Sequence, residues 1–336
     1  MTLLQILLVL VLAFHLLAAN LAGAAPLVCV WLDAREARRS DPLAGELGRY
    51  LLRQSLIWLT AALALGGVTL LLVWLTAWEP FYGTASRLPA GRFWWAAPEL
   101  GVYYLCVALY LKWWPAQTPA TRGRMRARRV MGIFAATNLL YHFPLLFTVI
   151  GVYSTRPAPA DEALVFRHAM LDAEVFSQFV HHMLASFAVV GVGIIGFALR
   201  LSRRHQTAPD VERMATWGGR LALVPTVSQL FVGLYVLLEL PDRARDNLLG
   251  GDSLGTLLFG VSLVGAIVLM HRLASVAFGE TERRNLISAM ALLVLVVVAM
   301  VGTRQRARND KFSAMSAPPA RIYAATCHPG LNTIRF

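Results

Sequence analysis

Charge and cysteine are both scarce in this chain. Only 15% of its 336 residues are charged, against about 25% in soluble domains, so most of its length has little with which to face water. The three cysteines, Cys29, Cys106 and Cys327, are scattered. No C-x-x-C-H run exists to attach haem covalently, and no spacing suits structural zinc. Acids are few, 19 Asp and Glu against 31 Lys and Arg. The net charge of +12 does not point to nucleic acid, because the arginines sit in short segments between apolar runs. The opening MTLLQ carries no basic residue, and the apolar run continues to Trp31. Both argue against a cleaved signal peptide, although ANLAGAA has a cleavable composition. No inverted repeat of broken helices marks a transporter.

What the chain has is apolar length. Hydrophobic residues make up 57% of it, and several runs exceed the roughly 20 residues that cross the hydrocarbon core. Backbone polar groups in lipid must pair internally, so the spans are helices or a closed barrel, and continuous rather than alternating hydrophobicity selects helices. The expected fold is an all-α polytopic transmembrane bundle of about eight spans, at roughly 3–31, 55–77, 96–115, 130–153, 172–199, 220–240, 254–274 and 286–302. The connections after spans 1, 3, 5 and 7 carry 19 basic residues and the others 6. The positive-inside rule therefore puts the N-terminus outside. One segment disagrees with that rule. Residues from Thr303 fall outside, yet they open TRQRARNDK. The rest, SAPPARIYAATCHPGLNTIRF, is expected to be poorly ordered or bound to a partner.

Ionisable residues within spans are costly and usually functional. At 1.5 Å per residue, His15 lies ~14–18 Å from the outer end of span 1, His142 ~16 Å from that of span 4, and His182 ~15 Å from that of span 5. Three helices thus bring imidazoles to one depth, with His181 adjacent to His182. Two such imidazoles suffice as axial ligands of a b-type haem. The alternative is that each histidine bonds across a helix interface. His271 lies next to Arg272 near the inner end and is a lesser candidate ligand. His168, His205 and His328 fall in connections or the tail and are expected to be solvated. Small residues flank the candidates: Ala18, Ala19, Ala22 and Gly23 beside His15, and Ala185, Ser186 and Gly191 beside His182. Such residues leave room for a macrocycle and also suit helix packing. Met183, Met270 and Met300 are possible second axial ligands. Glu99 and Glu239, near outer helix ends, are candidates for proton transfer or for a quinol hydroxyl, or simple interfacial carboxylates. Pro144 removes a bond to the Leu140 carbonyl and marks a kink beside His142.

These residues carry a resemblance. FHLLAANLAG, with a histidine followed by small residues and a glycine, resembles the first span of subunit I of cytochrome bd quinol oxidases. SDPLAGELGRYLLRQSLIWLTAALALGGVTLLL, with Gly66 and Gly67, is similar to that family's loop and second span. Glu99 stands where the family's third span carries an acid. FVHHMLASFAVVG resembles the fifth-span motif, and counting nine residues back from Gly191 selects His182. The resemblance covers about residues 1–200. It implies His15 and His182 as haem ligands, one or two b haems, and a quinone or quinol. Four departures set the chain apart from a complete oxygen-reducing oxidase. PDRARDNLLGGD replaces the long quinol-binding loop. Val107 and its apolar neighbours replace a second acid. His142 has no counterpart. The chain is also short for that subunit.

The organisation expected is a haem-binding region over 1–200, three further spans over 201–302, and a polar tail over 303–336. The expected function is a b-type cytochrome subunit of a respiratory complex in the bacterial cytoplasmic membrane. It would pass electrons between a quinol pool and a periplasmic redox partner, alongside other membrane or periplasmic cytochrome subunits and without nucleic acid. The rival is a cofactor-free anchor or assembly subunit, its histidines merely packing.

Overall fold

The computed structural model describes residues 2–114, 121–156, 163–202 and 208–315. Among them there is no strand. The principal helices are α1 (Leu3–Arg39), α2 (Pro42–Ser86), α3 (Ala96–Lys112), α4 (Arg122–Tyr153), α5 (Ala173–Ser202), α6 (Ala208–Glu239), α7 (Ser253–Ala277) and α8 (Arg283–Met315). All but α3 are long and apolar enough to cross a membrane. The 17 residues of α3 sit at the lower limit for a span. The chain is a multi-pass membrane protein with an all-α bundle fold. The packing forms two rings of four. In one, α1, α2, α3 and α4 close on themselves; in the other, α5, α6, α7 and α8 do so; and α1 joins the rings by packing on α5 and α8.

Local chemistry explains the helix ends. Thr2 caps α1 with its hydroxyl on the Gln5 amide, while Gln5 reaches back to the Thr2 amide at 2.9 Å. Ser40, at φ 51°, stops the helix in a left-handed turn. Pro42 then starts α2 at its first turn, where no N–H is needed. Two expectations change here. Helix α1 continues past Trp31, and the stretch read as a loop, SDPLAGELGRYLLRQ, is mostly the opening of α2. Leu43, Leu47, Leu51 and Leu52 are buried, so an apolar stripe at helical spacing docks this segment on α1.

Five of the arginines counted between the spans are paired inside the bundle at this basic end. Asp33, fully buried, accepts from Arg128 at 2.7 and 2.8 Å, from Arg129 at 3.1 Å and from the Tyr110 hydroxyl at 3.2 Å. Asp41 pairs with Arg35 at 2.9 Å and Arg213 at 2.7 Å, and Glu36 with Arg49 at 3.2 Å. These bonds tie α1, α2, α4 and α6 together at one level.

The segment beginning at Thr303 is another difference. Rather than leaving the membrane as a tail, residues 303–315 continue α8. Arg306 holds Asp252 in a two-bonded pair at 2.6 and 2.7 Å, and Arg304 lies 3.4 Å from Gln178 on α5. Arg304 and Arg306, two of the charges that contradicted the topology rule, therefore have partners in the fold. Residues 316–336, including Cys327 and His328, lie outside the described residues, as does His205.

Candidate functional site

Helix α5 lies against α6 at backbone distance. A Cβ on Gly191 would stand 2.6 Å from the Ala222 amide, and one on Gly218 2.6 Å from the Gly191 carbonyl. Only glycine permits that approach. Across the ring junction, the Ser186 hydroxyl lies 2.9 Å from Oδ1 of Asn20 and 3.0 Å from the His182 carbonyl. This polar contact joins α1 to α5 within the bundle, four residues from His182 on one side and five from His15 on the other.

His15 projects from α1 towards α2. Its Nδ1 lies 2.8 Å from the carbonyl oxygen of Ala62. A carbonyl only accepts, so Nδ1 carries the proton and Nε2 keeps a free lone pair. That is the arrangement by which proteins orient a metal-binding imidazole. Gly66 makes room for the ring, since a Cβ there would stand 2.9 Å from its Cε1, and at Gly67 a Cβ would meet nothing within 4 Å. His182 is half-buried. Among the described residues neither of its ring nitrogens has a hydrogen-bond partner. Its charged or chargeable neighbours are His181, Arg304 and His15, so the fold brings His15 and His182 within electrostatic range of each other.

His181 turns towards α6. Its Nε2 lies 3.4 Å from Nε2 of Gln229, while Nδ1 is buried without a partner. His142 is placed differently. Pro144 donates no N–H, and just before it the α4 backbone widens into a π-helical turn, Asn138–His142. The turn sets Nδ1 of His142 3.1 Å from a carboxylate oxygen of Glu99 on α3 and places Asn138 against the Glu99 carbonyl. His142 is exposed and is not among the neighbours of His182. Glu239, at the end of α6, engages Tyr235 one turn earlier. His271 is exposed on α7. Of the methionines, Met183 packs on the apolar cluster of Leu145, Val149 and Phe179, and Met300 is 36% exposed.

The residues fit an axially ligated flat cofactor in three respects. An oriented Nε2 is available on His15, uncommitted ring nitrogens are available on His182, and glycines on α2 open the space beside the first ring. Among the described residues, no group of three or more His, Cys, Asp or Glu is gathered to chelate a bare metal ion. A ligand that brings its own equatorial donors suits this donor set better. Asn20, Gln229, Arg304 and the Ala62 carbonyl escaped sequence reasoning. The polar Asn20 within an apolar span and the anomalous TRQRARNDK were the available signals.

At the other membrane face, Arg156 chelates Asp172 at 2.7 and 3.0 Å and reaches Glu174 at 2.9 Å. The Arg156 guanidinium holds the Asp172 carboxyl below the usual carboxylate range.

No protein-family model matches the chain, and no curated protein matches it. Solved structures do. The structure of bd oxidase from Geobacillus thermodenitrificans superposes with a TM-score of 0.74 at 13% identity, covering 91% of this chain and 86% of the matched one. The two chains are therefore of similar length and share nearly their whole course. By fold, the chain is similar to a chain of a bd oxidase.

Proposed function

We propose that the protein is a b-type haem subunit of a respiratory membrane complex, with His15 and His182 as the haem ligands. It would reside in a bacterial cytoplasmic membrane, work with further membrane or periplasmic cytochrome subunits, and pass electrons between a quinol and a periplasmic partner. The observation that carries this reading is the pairing of an oriented, free Nε2 on His15 with an uncommitted His182 in its electrostatic neighbourhood. Bound haem would supply one-electron redox chemistry. The chain's own work would be ligation by these imidazoles, exclusion of water by the surrounding apolar helices, and tuning of the potential by the Ala62 carbonyl and the Arg304 charge. His142 and Glu99, joined at 3.1 Å, are suited to accept a quinol hydroxyl proton. His181, with a bare Nδ1, and the more distant His271 are the reserve ligands.

The test is a dithionite-reduced minus oxidised visible spectrum, with a pyridine haemochrome assay, on full-length protein purified from haem-replete cells. A b-type α-band that is lost in His15→Ala and His182→Ala supports the reading. A folded, colourless protein overturns it.

A second reading is a cofactor-free membrane subunit that anchors or assembles the complex. It is favoured by the similar length of the matched bd oxidase chain, since subunit I of that family is longer. On this reading the bonds of His15 to Ala62, His142 to Glu99 and His181 to Gln229 are interhelical packing contacts.

A further inference from the structure

A cleft that the histidine site does not use opens along α6. At the basic end it is a polar notch of ≈ 360 Å³ lined by Glu212, Arg213, Thr216, Trp217 and Arg220. It continues as an apolar groove of ≈ 320 Å³ between α5 and α6, lined by Leu184, Phe187, Leu221, Val224 and Pro225. Arg220 lines both. Its Nε donates to the Ala277 carbonyl at 3.1 Å, which fixes the guanidinium. The side chain is exposed, and among the described residues its η-nitrogens have no partner. Arg213 is spent on Asp41 at 2.7 Å. The acid lining the notch is Glu212, two helical turns before Arg220. Beyond Arg220 the sequence reads LALVPTVSQLFVGLYVLLE, without a charge until Glu239. Arg220 therefore sits where the helix passes from headgroup to hydrocarbon. In the groove beyond it, Val224 is 67% exposed.

A fixed cation with unused donors, at headgroup depth, at the mouth of an apolar groove, matches one kind of molecule. We propose that this cleft seats an anionic phospholipid from the leaflet at the basic end. Its phosphate is held by the Arg220 η-nitrogens beside Thr216, and one acyl chain lies along Phe187, Leu221 and Val224. The planar guanidinium presents paired donors to phosphate oxygens, and the charge selects against zwitterionic lipids. The groove is the part of the site that a free phosphate ion would leave unused. The proposal is independent of the haem reading.

The test uses full-length protein in mild detergent, incubated with equal amounts of phosphatidylglycerol and phosphatidylcholine. Lipid retained on the intact protein is counted by mass spectrometry. Phosphatidylglycerol is expected to be retained about fivefold or more over phosphatidylcholine. Arg220→Gln should abolish that preference and Arg220→Lys should restore most of it. Val224→Trp, which fills the groove and leaves the charge, should lower retention of phosphatidylglycerol while the elution profile of the folded protein is unchanged. Equal retention of both lipids by the unmodified protein overturns the proposal, as does a preference that survives both Arg220→Gln and Val224→Trp. Displacement of the lipid by millimolar inorganic phosphate would identify a plain anion site instead, and retention of a protein subunit on this face in place of lipid would identify an interface. Either result overturns it too.

Discussion

Nδ1 of His15 lies 2.8 Å from the carbonyl oxygen of Ala62, so α2 fixes both the tautomer and the orientation of a ring carried by α1. Gly66, one turn on from Ala62, gives the ring its space. A methyl group at Gly66 would stand 2.9 Å from Cε1, whereas one at Gly67 meets nothing. Gly66→Ala should therefore displace the ring and lower haem retention about 10-fold or more, the usual cost of disturbing a supporting contact. Gly67→Ala should leave it unchanged. Haem content per protein, measured side by side on the two variants, checks this. Equal retention in both would sink the proposed role of His15.

Asp33→Asn addresses the basic end. The carboxylate is fully buried and receives two arginines and a tyrosine. Removing its charge strands Arg128, whose side chain is 5% exposed. A loss of about 3–5 kcal/mol is expected, as for other buried pairs broken on one side. Thermal unfolding in detergent should show a large fall in midpoint for Asp33→Asn and a small one for Glu36→Gln, whose pair with Arg49 is more exposed.

Acid should loosen the opposite face. Arg156 and Arg306 hold the carboxyls of Asp172 and Asp252 below the ordinary value of 3.8. A carboxyl with a lowered folded-state pKa contributes stability that is complete above its unfolded value and is lost as pH falls through the folded one. Stability should thus be flat above about pH 5 and decline below about pH 4. In Asp172→Asn combined with Asp252→Asn the decline should be shallower. Each pair is partly exposed and is worth on the order of 1 kcal/mol or less. Unfolding midpoints taken from pH 3 to pH 7 decide the matter; an unchanged slope in the double variant would remove these pairs from the account.

Glu99→Gln separates ligation from proton transfer. It keeps the shape of the carboxylate but removes the base that faces His142. The reduced spectrum should stay as in the unmodified protein, while quinol-driven reduction slows about 100-fold, the lower range for losing a general base. Stopped-flow reduction by a soluble quinol is the measurement. A changed α-band would instead make His142 a ligand.

The bundle was legible in the sequence because lipid imposes continuous apolar runs. The segment Pro42–Arg53 was not, because its polar residues lie among leucines at helical spacing and one of them, Arg49, is matched by Glu36 on α1. Arg304 and Arg306 read as anomalies for the same reason: their partners, Gln178 and Asp252, are 126 and 54 residues away in the chain. His15 and His182 were picked out by depth and by the family resemblance, and in the fold each lies within electrostatic range of the other; their role as ligands is the proposal made above. Depth also grouped His142 with them, but depth carries no azimuth. The π-turn before Pro144 points His142 at Glu99, which no one-dimensional reading reveals.

The Arg306–Asp252 pair also bears on the order of manufacture. Asp252 and Gln178 leave the ribosome well before Arg304 and Arg306. On the orientation expected from the loop arginines, the arginine-bearing end of the last helix has to be translocated. Its acceptors, on α5 and at the start of α7, are by then already synthesised. The nascent protein thus carries one counter-charge, Asp252, for its final insertion step, and a chain lacking it is expected to insert α8 less efficiently.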